Sequence, residues 1–351
     1  MKRMAADSPK KQNWLPLLLS ALISLGAVVL LFREVDFDEL SRQIRDADYR
    51  FIVGLLAFYP IAMLVRAWRF KRIMRESIDY WRNFHIINIG YFFSVALPFR
   101  LGEIARVLLI RREPNQSIGA GLSAVTLERL FDLMFALLCV GIGLALLPES
   151  SGLPQETATS LGFLIVVTII GMVVVLFLPR SHPTLVRIAR FVFRPLPDAL
   201  ADKLVSFGED TLNSLRVISE PKRLIEVLAW SAVTWACYVT YFYVGLLAFF
   251  ADAPPIGVGF LVTGFVAVGI AAPSLPGAIG VFQAAAVLGL STAGYPTGPS
   301  TGFAWVMWIV QTGVIVLSGV IGLSAMSLSF GRLTKDVRAG MESIEKEPSE
   351  V

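Results

Sequence analysis

The chain has 351 residues, of which 55% are hydrophobic and 17% charged, against about 25% charged in an average soluble domain. With a mean hydropathy of +0.67, this composition excludes a water-soluble globular protein and points to an all-α integral membrane protein, because helices satisfy their own backbone groups in lipid. Cys139 and Cys237 both lie in apolar runs, which excludes a disulfide framework and a spaced metal site, and the net charge of +4 is informative through its distribution.

Residues 1–13 carry Lys2, Arg3, Lys10 and Lys11 and read as a cytosolic N-terminus. The apolar run Trp14–Phe32 that follows is long enough to cross a bilayer and lacks a small-x-small cleavage pattern, so it reads as an uncleaved anchor. The next polar segment, Arg33–Arg50, sets Leu40 and Ile44 at the spacing of a short interfacial helix. It also holds the acid pair Asp36 and Asp38, of the sort membrane glycosyltransferases use to hold a metal and an activated sugar; two acids at that spacing are common by chance, and helix capping and solvation are the simpler reading.

Further full spans are expected at Phe51–Trp68, Gly119–Leu147, Ala158–Leu178, Leu224–Phe250 and Gly302–Met326, giving six in all. Two other apolar stretches, His85–Ile110 and Ile256–Leu290, are broken by Pro and Gly. Phe84–Leu97 is too short to cross, so a re-entrant hairpin is expected there; the second stretch admits either a re-entrant hairpin or two short crossings. Residues 180–223 form a basic cytosolic linker, and 331–351 a solvated cytosolic tail. Residues 14–330 thus read as a single transmembrane domain.

Of the 31 Lys and Arg, 24 fall in segments that are internal if the N-terminus is inside, four (Arg33, Arg42, Arg45, Arg50) fall outside, and Arg100, Arg106 and Arg129 lie at membrane depth. The positive-inside rule then gives an N-in, C-in orientation. Under it, residues 51–147 and 224–326 each read as span, broken hairpin, span, with opposite orientations. That is the pattern of inverted-repeat transporters, whose site lies near the midplane.

The first break carries Pro98, Arg100, Gly102, Glu103 and Arg106, and the span after it carries Glu128, Arg129 and Asp132. Each of these charges costs about 2.5 to 3.5 kcal/mol at the bilayer centre, so they are expected to face protein or water. Three arginines and three acids balance. One reading is a structural ion-pair network; the other is recognition of a phosphate-type head group by arginine, whose planar fork suits it. The second break has no formal charge and offers Pro276, Gly277, Gly280 and Gln283, as close-approach glycines and a donor–acceptor amide. His85 and His182 lack partners at ligand spacing. No metal, cofactor or nucleic-acid partner is expected.

The runs L-P-F-R-L-G-E-I-A-R at Leu97–Arg106, L-E-R-L-F-D-L at Leu127–Leu133 and L-P-G-A-I-G-V-F-Q at Leu275–Gln283 resemble the flippase-like family that includes the transmembrane region of lysylphosphatidylglycerol synthases. The likeness extends from Trp14 to about Met326. It departs at Gln283, where that family usually has Glu, and at Ala278, where Gly is usual. The resemblance implies a multi-pass protein in the cytoplasmic membrane of a prokaryote that moves a phospholipid or polyprenyl-phosphate lipid, with an anionic or zwitterionic head group, between leaflets. A separate lipid-modifying enzyme is a candidate partner. The chain has no P-loop and ends at Val351, soon after its last expected span, without the aminoacyl-transferring domain of the synthases. The expectation is therefore that it is not itself an enzyme, with a membrane glycosyltransferase using Asp36 and Asp38 as the alternative.

Overall fold

The computed structural model describes residues 41–42, 45–97, 101–147, 162, 220–271 and 274–337. Among them every regular element is helical. The anchor Trp14–Phe32, Asp36 and Asp38, the span Ala158–Leu178, most of the linker, residues 98–100 with Pro98 and Arg100, and the tail beyond 337 lie outside the described residues.

Helix α1 (Tyr49–Ile73) starts at Asp48, whose carboxylate accepts the Arg50 backbone N–H at 3.0 Å. It ends with Lys71 and Arg72 in its last turn, where cations suit the helix dipole. The expected span stopped at Trp68, but the helix continues to Ile73 because the buried stripe Tyr59, Met63, Arg66, Phe70, Ile73 keeps its three-and-four spacing past Trp68.

Helices α2 (Tyr80–Ala96) and α3 (Leu101–Arg111) fold back on one another. A Cβ on Gly102 would lie 1.8 Å from the Gly90 carbonyl oxygen, so the two backbones touch and only glycine fits. Arg82 and Glu113 close the base of this hairpin at 2.8 Å. With 17 residues α2 rises about 25 Å, short of a hydrocarbon core of about 30 Å. Helix α4 (Ile118–Ala145) follows, capped by the Ser117 hydroxyl. It has the length of a span but carries Glu128, Arg129 and Asp132.

Helix α5 (Pro221–Phe249) runs antiparallel to α1: the Asp48 N–H donates to the Ala248 carbonyl at 2.9 Å, while Arg75 pairs with Glu220 at the other end, 3.6 Å apart. Helices α6 (Ile256–Ala271) and α7 (Val281–Thr292) form the second hairpin. Its turn places Gly277, Ala278 and Gly280 at φ values of 69°, 53° and 81°, a region that favours glycine at two of the three positions. The Phe250 and Tyr295 rings, 4.7 Å apart, mark its base. Helix α8 (Thr297–Ala325) completes the described bundle.

α1, α5 and α8 are each long and apolar enough to cross a membrane. The base of the first hairpin lies at the end of the bundle where α1 finishes, and that of the second where α1 starts. The hairpins therefore point at each other: a Cβ on Gly277 would lie 3.8 Å from Val95 Cγ1 of α2, and the Trp308 indole N–H of α8 donates to the Gly277 carbonyl at 2.7 Å.

Two glycine seams lock the arrangement. Gly143 of α4 lies against Gly257 and Leu261 of α6, and Gly264 of α6 against Ala136 and Val140 of α4; a Cβ on Gly143 would come within 2.7 Å of the Leu261 nitrogen. Gly319 and Gly322 of α8 take up Phe92 and Ile89 of α2 in the same manner. One apolar core surrounds the first hairpin, with Phe70, Ile86, Phe93 and Leu109 at its centre. A second, with Leu55, Tyr241, Phe282 and Phe303, surrounds the other.

Candidate functional site

A cavity of about 360 Å³ sits where the hairpin tips converge. One wall is charged. Arg66 of α1 donates to Glu128 Oε1 at 2.6 Å, to the Tyr238 hydroxyl at 3.0 Å, and to Asp132. Arg69, one turn on, lies 3.1 Å from Glu128 and 2.8 Å from Asp132. From the first hairpin, Arg106 reaches Glu128 Oε2 at 2.6 Å, its guanidinium lying over the Phe70 ring at 4.5 Å. Arg129 pairs with Glu103 at 3.3 Å, faces Asp132 at 3.6 Å and donates to the Tyr91 hydroxyl at 3.3 Å.

The local fold explains this convergence. Glu128 and Asp132, four apart on α4, share one face, and Arg66 and Arg69 share the buried stripe of α1. Gly90 leaves room for the Arg106 stem: a Cβ there would lie 2.2 Å from its Cγ. Arg69, Arg106 and Glu128 are all 1% exposed or less. Unpaired, such groups would cost several kcal/mol each.

The count of internal basic residues includes Arg66 and Arg69, as part of an inside segment Arg66–Arg82; the structure corrects this, because both are buried on α1. The described cluster holds four arginines, Arg66, Arg69, Arg106 and Arg129, against three acids, Glu103, Glu128 and Asp132. The expected neutral balance is thereby replaced by an excess of one positive charge. The surplus is visible at Arg106, whose Nε and Nη1 are buried without a hydrogen-bond partner while the residue lines the cavity. The signal that finds Arg66 and Arg69 is the periodicity of α1, followed past Trp68. Tyr91 and Tyr238, which orient Arg129 and Arg66, were also missed; α2 holds a second tyrosine and α5 two more, with no sequence mark to single these out.

Of the other residues expected at the site, Gly102, Glu103, Arg129, Asp132 and Gly277 line the cavity, and Glu128 lies behind it as the hub. Pro276 opens the 3-10 turn Pro276–Ala278. Gly280 and Gln283 stand outside the lining: Gln283 is fully buried, and its Oε1 accepts the Gly280 N–H at 2.8 Å, capping α7. The second wall is neutral, with Val266, Ile270, Phe282 and Ile315 beside Gln311 and Thr312. The described residues contain no cluster of metal-ligating side chains.

Nearly all of the chain, 97%, is 22% identical to a protein named glycosyltransferase AglD of Haloferax volcanii and covers 58% of that protein. A quarter of the chain is 33% identical to a UPF0104 membrane protein of Methanocaldococcus jannaschii, over 34% of its length. The chain thus spans about half or less of the length of these curated relatives. No solved structure matches. The expectation that the chain is not an enzyme is overturned by the first likeness, which ties almost every residue of it to a protein named as a transferase. The family model for the lysylphosphatidylglycerol synthase transmembrane region matches residues 17–319, and the chain belongs to that family.

Proposed function

We propose that the protein binds the phosphate-bearing head group of a membrane lipid in this cavity and passes the lipid between leaflets. The observation that carries this is the buried excess charge at Arg106: the residue lines the cavity with two of its guanidinium nitrogens buried and without a hydrogen-bond partner, in a setting where a phosphate oxygen is the natural acceptor. The apolar second wall suits the adjoining hydrocarbon. The substrate class is a phospholipid or polyprenyl-phosphate lipid with an anionic or zwitterionic head group.

The accompanying architecture has six full spans and two re-entrant hairpins within residues 14–330, with 51–147 and 224–326 as inverted repeats, an N-in, C-in orientation, and the cytoplasmic membrane of a prokaryote as location. Two hairpins pointing tip to tip from opposite ends of the bundle support the repeat. Leaflet redistribution of labelled lipids in liposomes tests the function. Faster movement with the protein, lost in Arg106→Gln while the fold is retained, is the expected outcome; no acceleration for any lipid overturns it.

A second reading is favoured by the likeness to a protein named a glycosyltransferase. In it the cavity presents a lipid phosphate as acceptor or carrier in glycosyl transfer, with Asp36 and Asp38, or a separate lipid-modifying partner, supplying the chemistry. Loss of glycosylated lipid product in Asp36→Asn and Asp38→Asn supports it, and indifference to both removes those acids from it.

A further inference from the structure

We infer that the cavity opens sideways into the bilayer through a mouth between α4 and α6, and that the hydrocarbon chains of the bound lipid stay there while its head group lies inside. This deepens the head-group reading above and rests on it. The cavity measures about 360 Å³, near the low end of the roughly 300–1,000 Å³ that encloses a drug-sized ligand. It takes a phosphate and a small substituent, and leaves two acyl chains or a polyprenyl chain outside. Apolar chains gain nothing by leaving lipid hydrocarbon, so such a cargo needs an opening that lets them stay in it.

The seam between α4 and α6 supplies that opening. The two helices touch closely at Gly143–Gly257 and again where Gly264 meets Ala136. Continued in the same antiparallel register, Leu133 and Arg129 come level with Ala267 and Ala271. No glycine remains at this level to keep the backbones together, since Gly269 of α6 faces Ala285 of α7. Leu133 and Ala271 line the cavity and are exposed as well. Leu133, 44% exposed, stands three residues after Leu130, and Ala271 three residues after Val268; Leu130 and Val268 are exposed without lining the cavity, so they mark the outward faces of the two helices. Arg129, four residues before Leu133 and so on the same face, pairs with Glu103, the two side chains being 27% and 31% exposed. An exposed ion pair beside an exposed leucine near the middle of α4 suits an amphiphile, whose polar end meets the pair and whose chain meets Leu133. Lipid hydrocarbon alone would leave the pair unsolvated.

The test places the unaltered full chain in phosphatidylcholine liposomes holding phosphatidylglycerol with a photoreactive diazirine in one acyl chain, and maps the labelled peptides after irradiation. Label is expected around Leu133 and around Ala271, displaced by excess unlabelled phosphatidylglycerol and not by diacylglycerol, which has the chains without the phosphate. Label around Leu288 of α7, 54% exposed and outside the cavity lining, should be diluted equally by both. Absence of label at Leu133 and Ala271 would show the mouth covered by protein, and equal dilution there by both lipids would show boundary lipid only; either result overturns the inference. Leu133→Trp, which plugs the mouth from an exposed position, is expected to slow leaflet movement at least about tenfold, with Leu288→Trp leaving it unchanged. Equal effects of the two substitutions overturn the inference. Phosphate-dependent label at the mouth without leaflet movement leaves the inference standing and removes the translocase reading; movement that is lost in Arg106→Gln and untouched by Leu133→Trp does the reverse.

Discussion

Glu128 accepts from three guanidinium groups that originate on two different helices, so it carries the strongest test at the residue scale. Removing one partner of a buried ionic network costs about 3–5 kcal/mol, because the remaining charges lose their compensation. Glu128→Gln is expected to lower thermal stability by that order, read by unfolding in detergent. Adding Arg69→Gln to it should recover part of the loss, since the double variant again has one arginine fewer for one acid fewer; strict additivity would show that Arg69 and Glu128 do not interact. Five of the seven charged positions in the described cluster were legible from sequence because charges in apolar runs stand out. Arg66 and Arg69 were not, because the same rule assigns arginine at the end of an apolar run to the loop. The three-and-four spacing of the buried stripe, followed past Trp68, is what distinguishes a span that ends from one that goes on.

The two hairpins are built differently, and their glycines respond differently to a methyl group. Gly102→Ala sets a Cβ against the Gly90 carbonyl, and overpacking of this kind costs about 1–3 kcal/mol or more; the expected result is a hairpin that opens and loses lipid binding. Gly313→Ala, on α8 with open space around it, should be neutral or stabilise by about 0.5–1 kcal/mol, because glycine is the poorer helix former. Similar losses at both positions would show that helix propensity, and not the backbone contact, governs the first. At the foot of the first hairpin the backbone N–H groups of Arg82 and Trp81 hold the Asp79 carboxyl below its ordinary value. A depressed carboxyl stabilises above its unfolded pKa of about 3.9 and loses that contribution as pH falls through the folded value. The protection of the Trp81 and Arg82 amides, taken relative to their intrinsic exchange rates, should therefore fall only below about pH 4, and Asp79→Ala should lower it at every pH. The breaks at Pro98 and Pro276 were legible as hairpins from their Pro and Gly. The role of Gln283 as the cap of α7 was not, since an amide near a turn reads equally as a ligand contact.

For the whole molecule, the charge asymmetry of the loops predicts which ends face the cytosol. Ser77 and Asp252 are both exposed, at opposite ends of the bundle. In a background with Cys237→Ser, Ser77→Cys should react with an impermeant thiol reagent only after cells are opened, and Asp252→Cys in intact cells; the reverse pattern would invert the proposed orientation. The helical class, the hairpin breaks and the family were readable along the chain because each rests on local composition. The meeting of the hairpins and the excess charge were not, because the first joins segments more than a hundred residues apart and the second joins α1 to α4 across about sixty residues.

The glycine seams described for the fold have a mechanical consequence. Each joins the long closing helix of one half to the first arm of the other half's hairpin, α4 with α6 and α8 with α2, so the halves clasp each other crosswise. Bodies interlocked in this way cannot rock apart as two rigid shells, because either seam would shear backbone against backbone. At the turn of the second hairpin the Trp308 indole of α8 donates to the Gly277 carbonyl, which ties that turn to α8. Under the proposed function, a lipid head group would therefore be admitted by small local movements within this stiff frame and not by the halves rocking apart.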